Sequence, residues 1–297
     1  MQQSAADQLR QLPFSTGEET RSRLPGMEIR LGELTFDVLV GGPEDGNPVL
    51  LLHGFPETAQ SWDLVTTELN RAGLRTIAPN QRGYSPGARP TDVDAYRMHH
   101  IVGDALGILD ALNIQSAHVV GHDWGAVVAW SLAIGQPDRV RSLVAISVPH
   151  PNAFSWAYHN DPDQQERSWY ISFFRQEGKA EEKLLADDAQ VLRRAFDPLP
   201  DERIAPHLAA MREPGALTAA LNWYRASNLD EVSLPPVEVP TTYVWSDGDR
   251  ALGPAGAMRC GDHVTGPYRA VELAGVSHWI PDERPDAVVE AVLDRVG

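Results

Sequence analysis

A five-residue turn, Gly121-His122-Asp123-Trp124-Gly125, constrains the fold of this chain more than any other feature. It lies between a short apolar run, Ala117–Gly121, and a predicted helix that extends from Trp124 to about Ile134. Because a glycine stands on each side of the central residue, a strand can turn sharply into a helix where bulkier side chains would clash. We therefore expect the Asp123 side chain to stand exposed at the end of a buried strand.

Strand candidates alternate with helical segments along the first half of the chain. The predicted strands are Leu34–Val40, Val49–Leu52, Arg75–Ala78, Ala117–Gly121 and Val140–Val148, and a helix is predicted over Met98–Leu112. Val49–Leu52 is a continuous apolar run of the kind found in strands buried on both faces. This alternation predicts an α/β fold with a mostly parallel central sheet flanked by helices.

The alternation stops between Pro149 and about Pro240. Helical stretches are predicted there over Gln164–Arg175, Ala180–Arg194 and Leu217–Ser227, in a segment rich in aromatic residues. The pattern resumes with strands at Thr241–Trp245 and Tyr268–Leu273 and a last helix at Arg284–Val296. We expect residues 1–149 and 236–297 to form one core and residues 150–235 to form a helical cap over a site. The alternative is that the aromatics of the insertion only build a second hydrophobic core.

Composition and charge restrict the partners and the cellular location that we expect for this protein. The formal net charge of −16 disfavours nucleic acid and anionic membranes, which would be repelled, and no apolar run approaches the ~20 residues that cross a bilayer. Met1–Arg10 lacks the pattern of a signal peptide, and Cys260 is the single cysteine, so no intrachain disulfide can form. We expect a cytoplasmic protein; a homodimer is compatible with the sequence, which carries no signal for oligomeric state.

The central aspartate of the turn determines the chemistry. A carboxylate that attacks an acyl carbon would give an anhydride, so Asp123 is better suited to displace a leaving group from saturated carbon, and water can hydrolyse the resulting ester. His278 follows the strand that ends at Leu273 and is the expected general base. Asp247 and Asp249 both follow the Thr241–Trp245 strand, so either could orient it. The order of nucleophile, acid and histidine resembles the α/β-hydrolase fold.

A loop after the first buried strand, His53-Gly54-Phe55-Pro56-Glu57, completes the set. In this fold the loop supplies one amide of the oxyanion hole, and the residue after the nucleophile supplies the other. We therefore expect the amides of Phe55 and Trp124 to hold the carbonyl oxygen of the ester. His53 is expected to shape the loop by a hydrogen bond.

Four segments together resemble the epoxide hydrolase branch of the α/β-hydrolase family. They are His53–Glu57, His122–Gly125, Trp245–Leu252 and Gly275–Ile280, and the resemblance extends from about residue 25 to the end. It implies that Asp249 is the acid of the triad and that neither a metal nor an organic cofactor is used. Ser246 departs from the family pattern, which has glycine there, and Asp247 stays the alternative acid.

The resemblance also implies two tyrosines in the cap. Opening an epoxide expels an alkoxide, which needs hydrogen-bond donors that stay protonated at neutral pH, as tyrosines do. Asn222–Arg225 resembles one family motif and assigns Tyr224, whereas Trp169–Phe174 resembles the other more loosely and assigns Tyr170. Each could instead be a core aromatic. His150 and Trp223 are further candidates for the lining of the pocket.

The sequence therefore predicts an enzyme that converts a small, largely apolar epoxide to a diol. A haloalkane dehalogenase is the first alternative, because it shares the aspartate nucleophile. Dehalogenases typically carry asparagine where this chain has Phe55, those of the fluoroacetate type carry arginine in place of Trp124, and a halide needs no proton from a tyrosine pair. The second alternative is a ligand-binding protein without activity, although such members usually lose a residue of the triad.

Overall fold

An eight-stranded sheet forms the centre of the protein in the computed structural model, which describes residues 26–228 and 232–297. The strands are β1 (Gly26–Leu31), β2 (Leu34–Gly41), β3 (Pro48–Leu52), β4 (Arg75–Pro79), β5 (Ala117–His122), β6 (Val140–Ile146), β7 (Thr241–Ser246) and β8 (Tyr268–Leu273). Their order is β1-β2-β4-β3-β5-β6-β7-β8. Among the strands of the described residues, β2 alone pairs antiparallel, with β1 and β4, so the predicted mostly parallel sheet is confirmed. Met1–Arg10 and the rest of the first 25 residues lie outside the described residues.

The central strands are apolar because both faces of the sheet are covered. Every residue of β5 and β7 is buried. In β3, Leu50 and Leu52 face one core while Val49 and Leu51 face the other. At the edges this pattern is lost, and most residues of β1 and β8 are exposed or half-buried. The sheet therefore holds its loops, including the turn at Asp123, on a rigid base.

Helices of the core cover both faces. They are α1 (Asp63–Arg71), α2 (Met98–Ala111), α3 (Trp124–Gly135), α10 (Pro254–Arg259), α11 (Ile280–Glu283) and α12 (Pro285–Val296). Val65 of α1 and Val288 of α12 share one core, while Ile101 of α2 and Val128 of α3 belong to the other. None of the helices within the described ranges is long and apolar enough to cross a bilayer.

A helical insertion lies between β6 and β7. Its helices are α4 (Pro151–Asn160), α5 (Pro162–Arg167), α6 (Trp169–Phe174), α7 (Lys179–Ala195), α8 (Asp201–Met211) and α9 (Ala216–Ala226). The stretch predicted over Gln164–Arg175 is two helices that meet at Ser168. The stretch predicted over Ala180–Arg194 is interrupted by non-helical backbone at residues 186–189. Asp187, Asp188 and Ala189 adopt the left-handed conformation there, which short polar side chains tolerate better than alanine does.

Candidate active site

The turn at Asp123 has the strained geometry that the sequence predicts. Asp123 lies between β5 and α3 with φ 52° and ψ −121°, a strained conformation for a residue other than glycine, and its side chain is buried in the fold and not exposed as the sequence predicts. A Cβ at Gly121 would lie 2.2 Å from the carbonyl oxygen of Gly125, and one at Gly125 would lie 1.9 Å from that of Leu52. Neither position could therefore carry a side chain without moving the backbone that supports Asp123.

The histidine and one of the two candidate acids meet beside Asp123. His278 Nδ1 lies 2.7 Å from Asp249 Oδ2, and His278 Nε2 lies 3.5 Å from Asp123 Oδ2. The other oxygen of Asp249 accepts hydrogen bonds from the amides of Ala251 at 2.7 Å and Leu252 at 3.0 Å. Asp249 is thus buried and held in one orientation.

Asp247 faces away from this group. Its carboxylate accepts a hydrogen bond from the amide of Gly275 at 2.5 Å and is exposed at the end of β7. The structure therefore brings Asp249, and not Asp247, to the histidine.

One backbone amide contacts the Asp123 carboxylate, and a second belongs to the residue that follows Asp123 in the chain. The amide of Phe55 donates to Asp123 Oδ1 at 2.8 Å. Trp124 is the first residue of α3, so its amide lies at the positive end of that helix, adjacent in the chain to Asp123. Gly54 permits the approach of the loop, because a Cβ there would lie 2.3 Å from the Cβ of Asp123.

The charges of the site are carried by His278, Asp249 and Asp123. Burial would lower the pKa of the His278 imidazole, but the Asp249 and Asp123 carboxylates outweigh burial and raise its pKa well above the ordinary value. Burial would raise the pKa of Asp249, but His278 and the two amides outweigh it and lower that pKa. In the resting state we therefore expect an imidazolium between two carboxylates.

A small chamber opens above Asp123, and residues of the helical insertion form much of its wall. This inner chamber is lined by Asp123, Trp124, Val148, Phe154, Tyr170, Ile171, Tyr224, Ser227 and Leu252. The rings of Tyr170 and Tyr224 are 6.2 Å apart and edge to face. Burial, followed by the charge of Asp123, raises the pKa of both phenols, so both are donors at neutral pH. Both predicted tyrosines thus share one chamber with the predicted nucleophile.

A buried polar pair behind His278 received no role from the sequence, although both residues stand in the motifs that carry the resemblance. His122 Nδ1 lies 2.8 Å from Glu57 Oε2, and His122 Nε2 lies 2.9 Å from the carbonyl oxygen of His278. Since a carbonyl only accepts, Nε2 carries hydrogen, and one further proton lies between Nδ1 and the Glu57 carboxylate. The pair therefore fixes the backbone of His278 from below.

The remaining candidates, His53, His150 and Trp223, are not among the residues that line the inner chamber. His53 lies below the loop, where its Nδ1 is 2.9 Å from the carbonyl oxygen of Gly54 and its Nε2 accepts from the amide of Gln81 at 3.2 Å. His150 is buried at the start of α4, which it caps by accepting from the amide of Asn152, and it is not among the residues that line the inner chamber. Trp223 lines a second, larger cavity next to that chamber.

No cluster of three His, Cys, Asp or Glu side chains in the described part of the chain could hold a metal ion. The chemistry that the arrangement offers is carried by a carboxylate, an imidazole, two phenols and backbone amides. Such a group can form an ester on Asp123 and then hydrolyse it.

Comparison with known proteins gives a consistent result. The family model described as alpha/beta hydrolase fold matches residues 47–285. The chain is 35% identical over 270 residues to the AB hydrolase superfamily protein YfhM of Bacillus subtilis, which covers 88% of this chain and 94% of that protein. It is 33% identical over 304 residues to Epoxide hydrolase A of Mycobacterium tuberculosis, which covers 86% of this chain and 92% of the relative.

Solved structures agree with these relatives. One, described as novel epoxide hydrolases of the alpha/beta hydrolases superfamily in metagenomes from hot environments, matches with a TM-score of 0.83 and 30% identity over 92% of this chain and 99% of that one. The crystal structure of Epoxide Hydrolase A from Mycobacterium thermoresistibile matches with a TM-score of 0.79 and 28% identity over 92% of this chain and 98% of that one.

Proposed function

Since this chain belongs to the α/β-hydrolase fold family and is an epoxide hydrolase within it, we propose that it converts an epoxide and water to a vicinal diol through an ester on Asp123. Oδ1 of Asp123 is held by the amide of Phe55 and becomes the carbonyl oxygen of the ester. Oδ2 is the attacking atom.

In the first half-reaction, a bond forms between Asp123 Oδ2 and one ring carbon while the bond from that carbon to the ring oxygen breaks. The electron pair passes to the ring oxygen, which takes the proton of Tyr170 or Tyr224 while the other phenol donates a hydrogen bond. Formation of the ester removes the negative charge of Asp123. That charge raises the pKa of both phenols in the free enzyme. Proton donation becomes easier as the ring opens.

The same loss of charge prepares the second half-reaction. Esterification removes one of the two carboxylates that raise the pKa of His278, so the imidazolium releases a proton that replaces the one lost by the tyrosine. Neutral His278, oriented by Asp249, then takes a proton from water, and the hydroxide attacks the ester carbon. Collapse of the resulting tetrahedral intermediate expels the alkoxide of the diol, which takes that proton from His278. The Asp123 carboxylic acid returns its own proton to His278.

The observation that carries the proposal is the pair of tyrosines across the chamber from Asp123. A halide leaves without a proton, so the phenols would serve no purpose in a dehalogenase. The relatives named as epoxide hydrolases do not favour a dehalogenase or a ligand-binding protein without activity.

Isotope labelling tests the ester. In one turnover in ¹⁸O-water with excess enzyme, the diol should contain no label, and a peptide containing Asp123 should gain one ¹⁸O atom, because water attacks the ester carbon. Over many turnovers the label should reach the diol. A diol that is fully labelled in the first turnover would mean direct attack by water and would refute the ester.

Three further expectations belong to the proposal. The helical insertion, with residues 150–235 as its bounds, acts as a cap, which is supported by the contribution of Phe154, Tyr170 and Tyr224 to the chamber. A cytoplasmic location is supported by the single, buried cysteine, Cys260. A homodimer would sediment at twice the chain mass of 32.6 kDa, and a monomer at that mass would contradict it.

A further inference from the structure

A larger cavity adjoins the inner chamber. The two share four lining residues, Trp124, Val148, Phe154 and Ser227, so they are neighbours that meet at these side chains. This outer chamber is further lined by Tyr96, Met98, Ile101, Val127, Ser131, Pro151, Ser155, Tyr158, Trp223, Ala226, Asn228, Val232 and Leu234. It therefore extends from the reacting group toward α2, α4 and α9.

The outer chamber reaches the surface. Asn228, Val232 and Leu234 are exposed, whereas Ile101 and Trp223 are buried. Among its described lining residues none is charged, and the polar ones are three serines, one asparagine and two tyrosines. An ionised group inside it would lose hydration without finding an opposite charge among these described residues, which is costly. The chamber is suited to neutral, apolar groups.

The volumes of the two chambers differ strongly. The inner chamber measures about 60 Å³ and the outer about 280 Å³. A methylene group is similar in size to a water molecule, which occupies ~30 Å³ in the liquid. At that volume for each group, the inner chamber has room for little more than an epoxide ring. On the same basis the outer chamber has room for about nine such groups.

We propose that the outer chamber binds the substituent of the substrate, and that the enzyme acts on epoxides with one extended apolar substituent of about nine carbons. This inference rests on the proposed function and specifies its substrate class. The ring occupies the inner chamber with its unsubstituted carbon toward Asp123, and the chain extends past the shared residues Trp124 and Phe154 into the outer chamber. Epoxides with a large group on each carbon do not fit, because the inner chamber has no space for the second.

A chain-length series on the wild-type enzyme tests the proposal. For 1,2-epoxyalkanes from epoxypropane to epoxydodecane, kcat/KM should rise about fourfold per methylene, as expected for burial of each group. The increase should end when the chain fills the outer chamber, at about nine carbons beyond the ring. A flat series in which epoxypropane is turned over would overturn this inference and leave the proposed function intact. Absence of diol from every epoxide would overturn both.

A pair of matched variants tests whether the outer chamber binds the substituent of the substrate. Ala226 lines it on α9, whereas Ala209 is exposed on α8. Ala226→Phe should lower the ratio of kcat/KM for epoxydecane to that for epoxypropane at least tenfold, and Ala209→Phe should leave the ratio as it is in the wild type. Equal ratios in both variants would contradict the proposal. If circular dichroism shows that Ala226→Phe is unfolded, Ser131→Phe fills the chamber from α3 and is judged by the same ratio.

Discussion

Replacing His122 with leucine should expose the importance of the buried pair behind His278. The substitution removes the hydrogen bonds to Glu57 and to the carbonyl oxygen of His278. It leaves a carboxylate that is fully buried and whose remaining hydrogen-bond donor among the described residues is the amide of Gly54 at 3.4 Å. Breaking a buried pair by removing one partner costs about 3–5 kcal/mol.

The pKa of Glu57 supports this magnitude. Burial would raise that pKa, but His122 first and then His207 and His53 outweigh burial and lower it from 4.5 to about 2. Since one pKa unit corresponds to 1.36 kcal/mol, the ionised carboxylate contributes about 3 kcal/mol to the stability of the wild type. The contribution is present above pH 4.5 and is lost as the pH falls toward 2.

In the variant, the contribution of Glu57 to stability changes with pH in the opposite direction. Without His122, burial dominates and the pKa of Glu57 in the folded protein rises above 4.5. The folded variant then binds the proton more tightly than the unfolded chain, so its stability is lost as the pH rises above 4.5. The difference between wild type and His122→Leu should therefore be larger at pH 7, where it reaches about 3–5 kcal/mol, than at pH 4, where the wild type keeps most of the Glu57 contribution and Glu57 of the variant is still protonated.

Urea unfolding followed by tryptophan fluorescence at both pH values measures this difference. At pH 7 the midpoint should fall by about 1–2 M. The double variant His122→Leu/Glu57→Met no longer buries a lone charge and should recover at least half of the loss. A loss at pH 7 that equals the loss at pH 4, or a double variant as unstable as the single one, would refute the reasoning.

Three further predictions concern the reacting groups. Tyr224→Phe removes one of two donors to the epoxide oxygen and should lower kcat roughly 100-fold in a diol assay; a loss below threefold would contradict its role. Asp249→Asn should lower kcat between about 10³- and 10⁴-fold, because the imidazole loses its orienting acid, while Asp247→Asn should stay within twofold; the reverse order would assign the acid to Asp247. Asp123→Asn removes a charge as esterification does, so the pKa of His278 measured by NMR titration should fall; an unchanged value would contradict the proposed release of its proton.

Much of the sheet could be predicted because burial on both faces leaves a plain pattern. The apolar run at Val49–Leu52 and the turn at Asp123 both predicted their elements within a residue or two. β1 carried no such run, because this edge strand is mostly exposed. Helix α8 contains Pro206, which argues against a helix in the sequence although the fold accommodates it.

The site was predictable where a motif determines it and less so where three-dimensional placement decides. Asp247 and Asp249 follow the same strand, and only the turn after β7 directs Asp249 to His278. The position of Tyr170 depends on how α6 packs over Asp123, which a loose motif does not define. The pairing of Glu57 with His122 joins two loops that are 65 residues apart, so no local pattern reveals it.

Trapping the ester is the most direct test of the central claim. His278→Gln should permit attack by Asp123 and block hydrolysis, so intact-protein mass spectrometry after incubation with 1,2-epoxyalkanes should show a gain equal to one whole epoxide. Asp123→Ala in the same background should abolish the gain. An adduct formed only from haloalkanes, lighter than the haloalkane by the hydrogen halide, would contradict the account, as would an epoxide adduct that persists without Asp123.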